Sequence, residues 1–204
     1  TSGVGTARDS LAATGFGVGL AIFGYGNAGS VSSLTNKVST SGVVASDTTG
    51  VGTARQFPAA ARYGTDKAIF AFGSTNKANL VSNTGVVSAD VDGVGSSKEY
   101  LAGAGYGGDK AIMGYGVTSG LTNVTNLINN LGVVGADVSG VGTARNILAA
   151  ASYGGDKAIF GYGAAGGKVS LTNKVSNSGV VASDTTGVGT ARSGLVAGEY
   201  STSA

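Results

Sequence analysis

Apolar residues along the chain come in short runs that are bounded by glycine, asparagine or aspartate. The stretch 145–192 contains ILAAASY, KAIFGYG, SLTNKVS and VVASD, at 147–153, 157–163, 170–176 and 180–184. Short apolar runs separated by turn residues are typical of antiparallel β-hairpins. No stretch carries an apolar stripe at helical spacing, and an alanine-rich run of about five residues between turns is too short to nucleate a helix. The pattern therefore predicts an all-β fold.

The same group of runs recurs along the chain and is marked by the phrase GVGTAR. This phrase occurs at 3–8, 50–55, 140–145 and 187–192, with the variant GVGSSK at 93–98. The closing basic residues are 47, 43, 47 and 47 residues apart. The shorter spacing arises after the second apolar run of the repeat, where Asn79 lies six residues after Gly73 but Asn173 lies ten residues after Gly163. This difference indicates a loop of variable length. A repeat of this length with four short strands predicts a propeller blade.

We expect a single repeat domain over 1–204. Its repeats are predicted at about 8–54, 55–97, 98–144 and 145–191, with partial repeat strands at 1–7 and 192–204. The small residues of LAAAS and its equivalents suit an innermost strand, where blades converge, and AIF suits a second strand buried between blades. GVGTAR occurs five times, counting its variant, but KAIFGYG and its relatives only four. Three explanations fit this surplus: overlapping termini, membership of a larger array, or strands from a second subunit.

The order of residues in the last complete repeat resembles that of the kelch repeat. A basic residue precedes the first strand, small apolar residues follow, and an apolar second strand ends in glycine. The residues that carry this resemblance are Arg145, Ala149, Ala150, Tyr153, Gly154, Gly155, 158–163, Asn173 and Arg192. The double glycine of the kelch pattern is here Gly-Tyr-Gly, and the aromatic residues of its outer half are missing. The resemblance covers essentially the whole chain and implies a β-propeller of four-stranded blades.

A second resemblance concerns the near-identical, glycine-rich character of the copies. In this respect the chain looks like repeats in structural proteins of tailed bacteriophages. The chain begins at Thr1 without an initiator methionine, so we expect a processed chain or a fragment.

Composition narrows the functional classes. The chain has 38 glycines, one proline and no cysteine, tryptophan or histidine. Only 12% of residues are charged and the net charge is +2, which leaves no electrostatic footprint for nucleic acid or an anionic membrane. No apolar run reaches the roughly 18 residues that cross a bilayer. Surfaces rich in serine, threonine, asparagine and glycine are common in extracellular and virion proteins, so we expect one of those locations.

Aromatic and acidic residues at equivalent positions of the repeats are candidates for ligand binding. They are Tyr63, Tyr106, Tyr153, Asp66, Asp109 and Asp156. The tyrosines precede a turn, where we expect exposed rings that stack on sugars. Each aspartate is followed by lysine, and such pairs at one rim would suit a polyhydroxylated ligand. Alternatively, the rings pack between blades and each pair forms a hairpin turn beside a buried strand.

Basic and acidic residues also recur, and we expect them to be structural. They are Arg8, Arg55, Arg145 and Arg192, with Asp47, Asp90, Asp137 and Asp184. Each aspartate lies eight residues before a basic residue, so we predict a charge-assisted pair across the turn between blades. The alternative is that the arginines bind an anion. Asn36, Asn79, Asn126 and Asn173 are expected to bridge strands or to line a rim.

Catalysis has little support in the residue inventory. Without histidine and cysteine the common triads and metal ligands are missing. Asp90-Val91-Asp92-Gly93 resembles the start of a calcium loop, but the remaining ligands of such a loop are absent. We therefore predict a protein that is not an enzyme and has no cofactor and no metal site.

The first functional hypothesis is a structural or adhesion module of a virion, such as a tail or fibre, or of an extracellular appendage. Its partners would be other protein subunits, in a homo-oligomer or larger assembly, and cell-surface glycans. The second hypothesis is a lectin with one shallow glycan site per blade. The third is an intracellular interaction scaffold.

Overall fold

The computed structural model describes residues 4–199 and confirms the all-β prediction, since these residues form strands and no helix. The strands are β1 (Ala12–Phe16), β2 (Leu20–Gly24), β3 (Thr35–Val38), β4 (Ala59–Tyr63), β5 (Lys67–Ala71), β6 (Lys77–Val81), β7 (Val91–Asp92), β8 (Ala102–Tyr106), β9 (Lys110–Gly114), β10 (Thr125–Ile128), β11 (Ala149–Tyr153), β12 (Lys157–Gly161) and β13 (Thr172–Val175). No helix long and apolar enough to cross a membrane occurs in this part of the chain. The predicted partial repeats at 1–7 and 192–204 lie partly outside the described residues, and the described portions contain no strand.

Each repeat forms one small antiparallel sheet. Sheet 1 is β1-β2-β3, sheet 2 is β4-β5-β6-β7, sheet 3 is β8-β9-β10 and sheet 4 is β11-β12-β13. The first strands of successive sheets lie side by side, in the order β1, β4, β8 and β11. Within residues 4–199, no comparable contact joins β1 to β11. The sheets therefore form a series with two ends.

The apolar core is divided into three clusters, and each cluster lies between two successive sheets. Phe16, Ile22 and Tyr25 of sheet 1 meet Ala68, Phe70 and Val81 of sheet 2. The other two clusters join sheet 2 to sheet 3 and sheet 3 to sheet 4 in the same way. Since strand residues alternate between faces, each inner sheet uses both faces for packing. This is why AIF reads as a continuous apolar run.

The fourth predicted strand is reduced to isolated bridges in three of the four repeats. In repeat 1, residues 35–38 face residues 44–48, because Val38 pairs with Val44 and Thr35 with Thr48. The outer segment therefore has one residue more than its partner, which makes it a bulge and interrupts the ladder. Only in sheet 2 do two consecutive pairs form, where Ala78 pairs with Val91 and Lys77 with Asp92.

The variable connection is a loop, as the repeat spacing indicates. It covers residues 72–76 between β5 and β6, but residues 25–34 between β2 and β3. The loop begins with an aromatic residue in the left-handed region, which disfavours bulky side chains. The residues are Tyr25, Phe72, Tyr115 and Tyr162, with φ values of 65°, 65°, 62° and 62°. The aromatic residue, which glycine follows in every copy, thus makes the sharp turn that ends the second strand.

Candidate functional site

A basic residue, an asparagine and an aspartate form a compact cluster in repeats 1, 3 and 4. In repeat 4, Arg145 donates from Nη2 to Oδ1 of Asn173 at 2.7 Å, and its Nη1 lies 3.8 Å from Oδ1 of Asp184. Asn173 donates from Nδ2 to the same aspartate oxygen at 2.9 Å. Both Arg145 and Asn173 are fully buried. Buried charges require such partners, so the cluster stabilises the repeat.

The aspartates bind a different basic residue from the one that their spacing predicts. Asp47 lies 3.2 Å from Arg8, and Asp137 lies 3.2 Å from Lys98, so each partner precedes its aspartate by 39 residues. The predicted pairing of Asp47 with Arg55, eight residues later, is therefore wrong. Each pair connects the start of a repeat to the outer segment of the same repeat. Chain separation misled the prediction because the sheet folds its first segment back beside its last.

Repeat 2 departs from this arrangement. No ion pair within 4 Å joins Arg55 to Asp90 in the described part of the chain, although Asp90 accepts from the Thr53 amide at 3.0 Å. The Arg55 guanidinium donates instead from Nη2 to the Phe70 carbonyl at 3.3 Å. Like Arg145 over Tyr115, it also lies over an aromatic ring, 3.9 Å from the centre of Tyr25. Burial lowers the pKa of Arg55. Oδ1 of Asn79, which faces no donor, is buried without a partner.

The clusters hold their aspartates in the charged form. Burial opposes the charge of Asp137, but hydrogen bonds from Ser96 and Asn126 and the nearby Lys98 outweigh it and lower the pKa to about 2. The pKa values of Asp47, Asp90 and Asp184 are lowered as well, again through a threonine and an asparagine. The recurring acids are therefore engaged in the scaffold and ionised at neutral pH.

Arg192, the fifth basic residue of the series, has no such cluster. Its guanidinium lies 4.2 Å from the centre of the Tyr162 ring, as in the earlier repeats. No asparagine or aspartate side chain of residues 4–199 is hydrogen-bonded to it, and it is exposed. Arg192 thus begins a unit whose remaining parts are not provided by the described chain.

The Asp–Lys pairs form hairpin turns that also join neighbouring sheets. The Gly64 amide donates to the Asp109 carbonyl at 2.7 Å, and the Gly107 amide donates to the Asp156 carbonyl at 2.7 Å. Lys110 pairs with Asp109 at 2.9 Å and Lys157 with Asp156 at 2.7 Å. Asp66 accepts from Asn83 instead, at 3.0 Å. These carboxylates lie at one rim, but their backbone carbonyls serve the junctions between sheets.

The tyrosines that were expected to be exposed are mostly covered. Tyr63 and Tyr106 are 3% and 5% exposed, whereas Tyr153 is 39% exposed. A glycine turn of the following sheet lies against each covered ring, Gly132 against Tyr63 and Gly179 against Tyr106. Burial raises the pKa of both covered tyrosines. Two of the three proposed stacking platforms therefore belong to the core, and only Tyr153 presents a ring to solvent.

A polar hollow of about 180 Å³, which we call the rim cleft, opens beside the hairpin turns of sheets 2 and 3. Its functional groups come from Arg62, Asp109, Lys110, Ser152 and Glu199. Among the predicted residues, it brings together Tyr63, Tyr106 and Asp109, while Asp66, Tyr153 and Asp156 do not line it. Hydrogen bonding to Lys110 lowers the pKa of Asp109. The cleft thus offers charged donors and acceptors side by side.

Arg62 and Ser152 were not identified from the sequence. They occupy the repeat position before the aromatic residue, where the other two copies have Gly15 and Gly105. Arg62 donates from Nη2 to the carbonyls of Gly17 and Thr65, at 3.1 and 3.0 Å. The signal was present in the alignment of the repeats: a site on a repetitive scaffold is found where the copies differ.

Within residues 4–199 no group of three or more acidic side chains is arranged to hold a metal ion. The rim cleft can bind through hydrogen bonds and charge, with donors from Arg62 and Lys110 and acceptors from Asp109 and Glu199. No protein-family model matches the chain, and no curated protein matches it in sequence.

Proposed function

We propose that the chain is a non-enzymatic structural and adhesion module, a kelch-like propeller of a virion or extracellular appendage. It binds neighbouring subunits or a receptor through the loops around its sheets. The observation that carries this proposal is the use of the repeated polar residues. Arg8, Lys98 and Arg145 and their aspartates are engaged in holding each repeat together. A chain whose charged residues serve the scaffold in three of its four repeats is suited to mechanical and binding roles.

Association with particles tests this proposal. Particles or appendages purified from the source by density gradient should contain the chain, detected by antibody, at a fixed ratio to the major structural protein. Mild salt washing should not release it, because few charges are free to make salt-sensitive contacts. Recovery of all of the chain as a free monomer, with none in the particle fraction, would contradict the proposal.

The rim cleft favours a second function, a lectin with one glycan site per chain. Its mixture of charged and hydroxyl groups, with the edges of Tyr63 and Tyr106 in its wall, suits a polyhydroxylated ligand. One site per chain replaces one site per repeat, because the cleft combines side chains of three repeats, with Arg62 from repeat 2, Asp109 from repeat 3 and Ser152 from repeat 4.

A glycan array tests the lectin proposal. Wild type should bind a defined set of sugars with a stoichiometry near one, and Glu199→Gln should weaken binding at least tenfold. Lys168→Ala, a change at an exposed residue that does not line the cleft, is the matched control. Absence of binding to neutral and acidic sugars alike would refute it.

A further inference from the structure

The three junctions between sheets share one pattern. In each junction the earlier sheet presents an aromatic ring and an isoleucine on one face, which we call its front face. The next sheet covers them with its opposite face, which we call its back face. The junction of sheets 3 and 4 is formed by Tyr106, Ile112, Ala158, Phe160 and Val175. A glycine turn closes each junction, so that a Cβ at Gly179 would lie only 3.0 Å from the Tyr106 ring.

The front face of sheet 4 has the same groups, but no sheet formed by residues 4–199 covers them. Tyr153 is 39% exposed, whereas its equivalent Phe16 is 1% exposed. Ile159 is half-buried, whereas Ile112 is fully buried. In the other three repeats, the amide of the equivalent glycine donates to the backbone carbonyl of an aspartate in the next sheet, at 2.7 Å. The Gly154 amide has no such acceptor within residues 4–199.

The back face of sheet 1 is open in the complementary way. Phe23 is 38% exposed, whereas its equivalents Phe70 and Phe160 are fully buried. No atom of the described residues lies within 4 Å of a Cβ placed at Gly42, although the equivalent Gly85, Gly132 and Gly179 each meet an aromatic ring. An apolar hollow of about 390 Å³ lies on this face, beside Phe23, Val44 and Leu11.

The space next to sheet 4 already contains the first segment of a fifth unit. The Gly163 amide donates to the Arg192 carbonyl at 3.0 Å, and the Gly194 amide donates to the Ile147 carbonyl at 3.0 Å. The first of these bonds has an equivalent in every earlier repeat. Residues 197–199 line a central cleft of about 280 Å³ together with parts of β1, β4, β8 and β11. Within residues 4–199, five inner segments therefore surround this cleft, and the fifth has no sheet.

We propose that the position between sheets 4 and 1 accepts one further sheet of this chain's own repeat type, supplied by another polypeptide segment. The inference rests on the proposed function and names the partner. The incoming segment has the residue pattern of β12, β13 and the turn that follows them. Its equivalent of Gly179 covers Tyr153, its equivalent of Asn173 binds Arg192, and its equivalent of Asp184 binds Arg192 and Thr190. Its first strand pairs with residues 195–199, which belong to no sheet. Strand addition of this kind derives affinity from backbone bonds and specificity from the side chains.

A complete second copy of the chain fits this position less well. In sheet 1 of such a copy, Arg8 already donates to Asn36 at 2.5 Å and to Asp47 at 3.2 Å. These are the groups that Arg192 would require. The identical phrases at 3–8 and 187–192 would therefore compete for one place. A segment that begins after the phrase has no such conflict.

A synthetic peptide of residues 157–186 tests the proposal, titrated into the full chain and followed by calorimetry. The expected result is saturable binding with a stoichiometry near one and a rise in melting temperature, because ligands that bind the folded state stabilise it. The matched control peptide carries Asn173→Leu and Asp184→Leu and should bind at least tenfold more weakly. No binding of the parent peptide, or equal binding of the control peptide, would overturn the proposal.

Variants of the chain locate the peptide. Arg192→Ala and Tyr153→Ala should each weaken binding at least tenfold and change the melting temperature of the free chain only slightly, since the first loses one contact with the Tyr162 ring and the second removes a partly exposed ring. Lys168→Ala, also exposed, should bind as wild type. Unchanged peptide binding by Arg192→Ala would overturn the proposal. Self-association of the wild-type chain that is lost in Tyr153→Ala would also overturn it, because the occupant would then be a second copy. Absence from particles with peptide binding intact would contradict the proposed function alone.

Discussion

Asn126 connects three separate segments of its repeat. It accepts from Nζ of Lys98 at 2.5 Å and donates to the Gly135 carbonyl at 3.1 Å and to Oδ1 of Asp137 at 2.9 Å. Asn126 and its bond to Lys98 are fully buried, whereas its bonds to Gly135 and Asp137 are partly buried. The asparagine was expected either to bridge strands or to line a rim, and the structure shows the bridge. The sequence could not decide between them because the same amide suits both.

Replacing Asn126 by alanine should therefore be costly. We expect Asn126→Ala to lower the free energy of unfolding by roughly 2 kcal/mol or more, since it leaves the buried ammonium of Lys98 and the partly buried carbonyl of Gly135 short of partners. Urea denaturation measures the change. Asn177→Ala removes an exposed asparagine with a single 3.1 Å bond to Asp156 and serves as the control, with little expected effect. Equal losses in the two variants would show that the cluster is not what matters.

Asp137 makes stability depend on pH. Its pKa is lowered from 3.8 to about 2 in the folded chain. Between these two pKa values the folded state thus binds fewer protons than the unfolded state. The stabilisation that Asp137 contributes is therefore complete above the unfolded-state pKa and is lost as the pH falls through the folded-state pKa. We expect Asp137→Asn to be less stable than wild type at pH 7 and the difference to shrink between about pH 4 and pH 2. Urea unfolding at a series of pH values measures this, and a difference that stays constant down to pH 2 would contradict it.

At the scale of the element, the second strand of each repeat shows how neighbours set burial. Ile112 and Ile159 occupy the same position of the same motif, but Ile112 is fully buried and Ile159 is half-buried. The strand pattern is identical, so the repeat alone predicts equal burial. The difference arises because sheet 4 packs over the front of sheet 3, whereas no described sheet packs over the front of sheet 4.

This difference predicts unequal responses to a charge. Ile112→Asp should destabilise the chain by at least about 4 kcal/mol, because it leaves an unpaired carboxylate between two sheets. Ile159→Asp should retain the β-type circular dichroism spectrum and a cooperative melt, because its carboxylate reaches water. An Ile159→Asp variant that unfolds as completely as Ile112→Asp would show that the front face of sheet 4 is covered in solution.

The fourth run of each repeat was predicted as a strand and is mostly a bulged segment. Its valines pair as expected, Val38 with Val44 in repeat 1. The extra residue that follows lets the Asn36 amide bind the Ala45 carbonyl at 3.1 Å. The apolar pattern indicates a strand but does not count residues against the partner strand, so the bulge could not be read from it.

At the scale of the whole molecule, the sheets form a series whose inner members are flanked on both faces and whose end members are flanked on one. In repeat architectures stability is close to a sum over units and their contacts with neighbours. Sheets 2 and 3 lie in two core clusters each, and sheets 1 and 4 in one. The ends should therefore open more readily than the middle.

Hydrogen exchange measures this gradient. We expect amides of β5 and β9 to exchange at least about tenfold more slowly than the equivalent amides of β2 and β12, because local opening costs less where fewer apolar contacts break. Binding of the 157–186 peptide should slow β2 and β12 most. Uniform protection across the sheets would mean that the chain opens only as a whole.

Much of this molecule follows from the sequence alone. The β class, the strand of AIF, the turns at glycine and aspartate and the variable loop are all local consequences of apolar runs and turn residues, and local patterns repeat whatever their surroundings. The tertiary structure decided which aspartate binds which arginine, which tyrosine is covered and where copies of one motif differ in exposure. Those outcomes depend on what lies across a junction between sheets, and a repeated sequence carries no information about which of its copies has no neighbour.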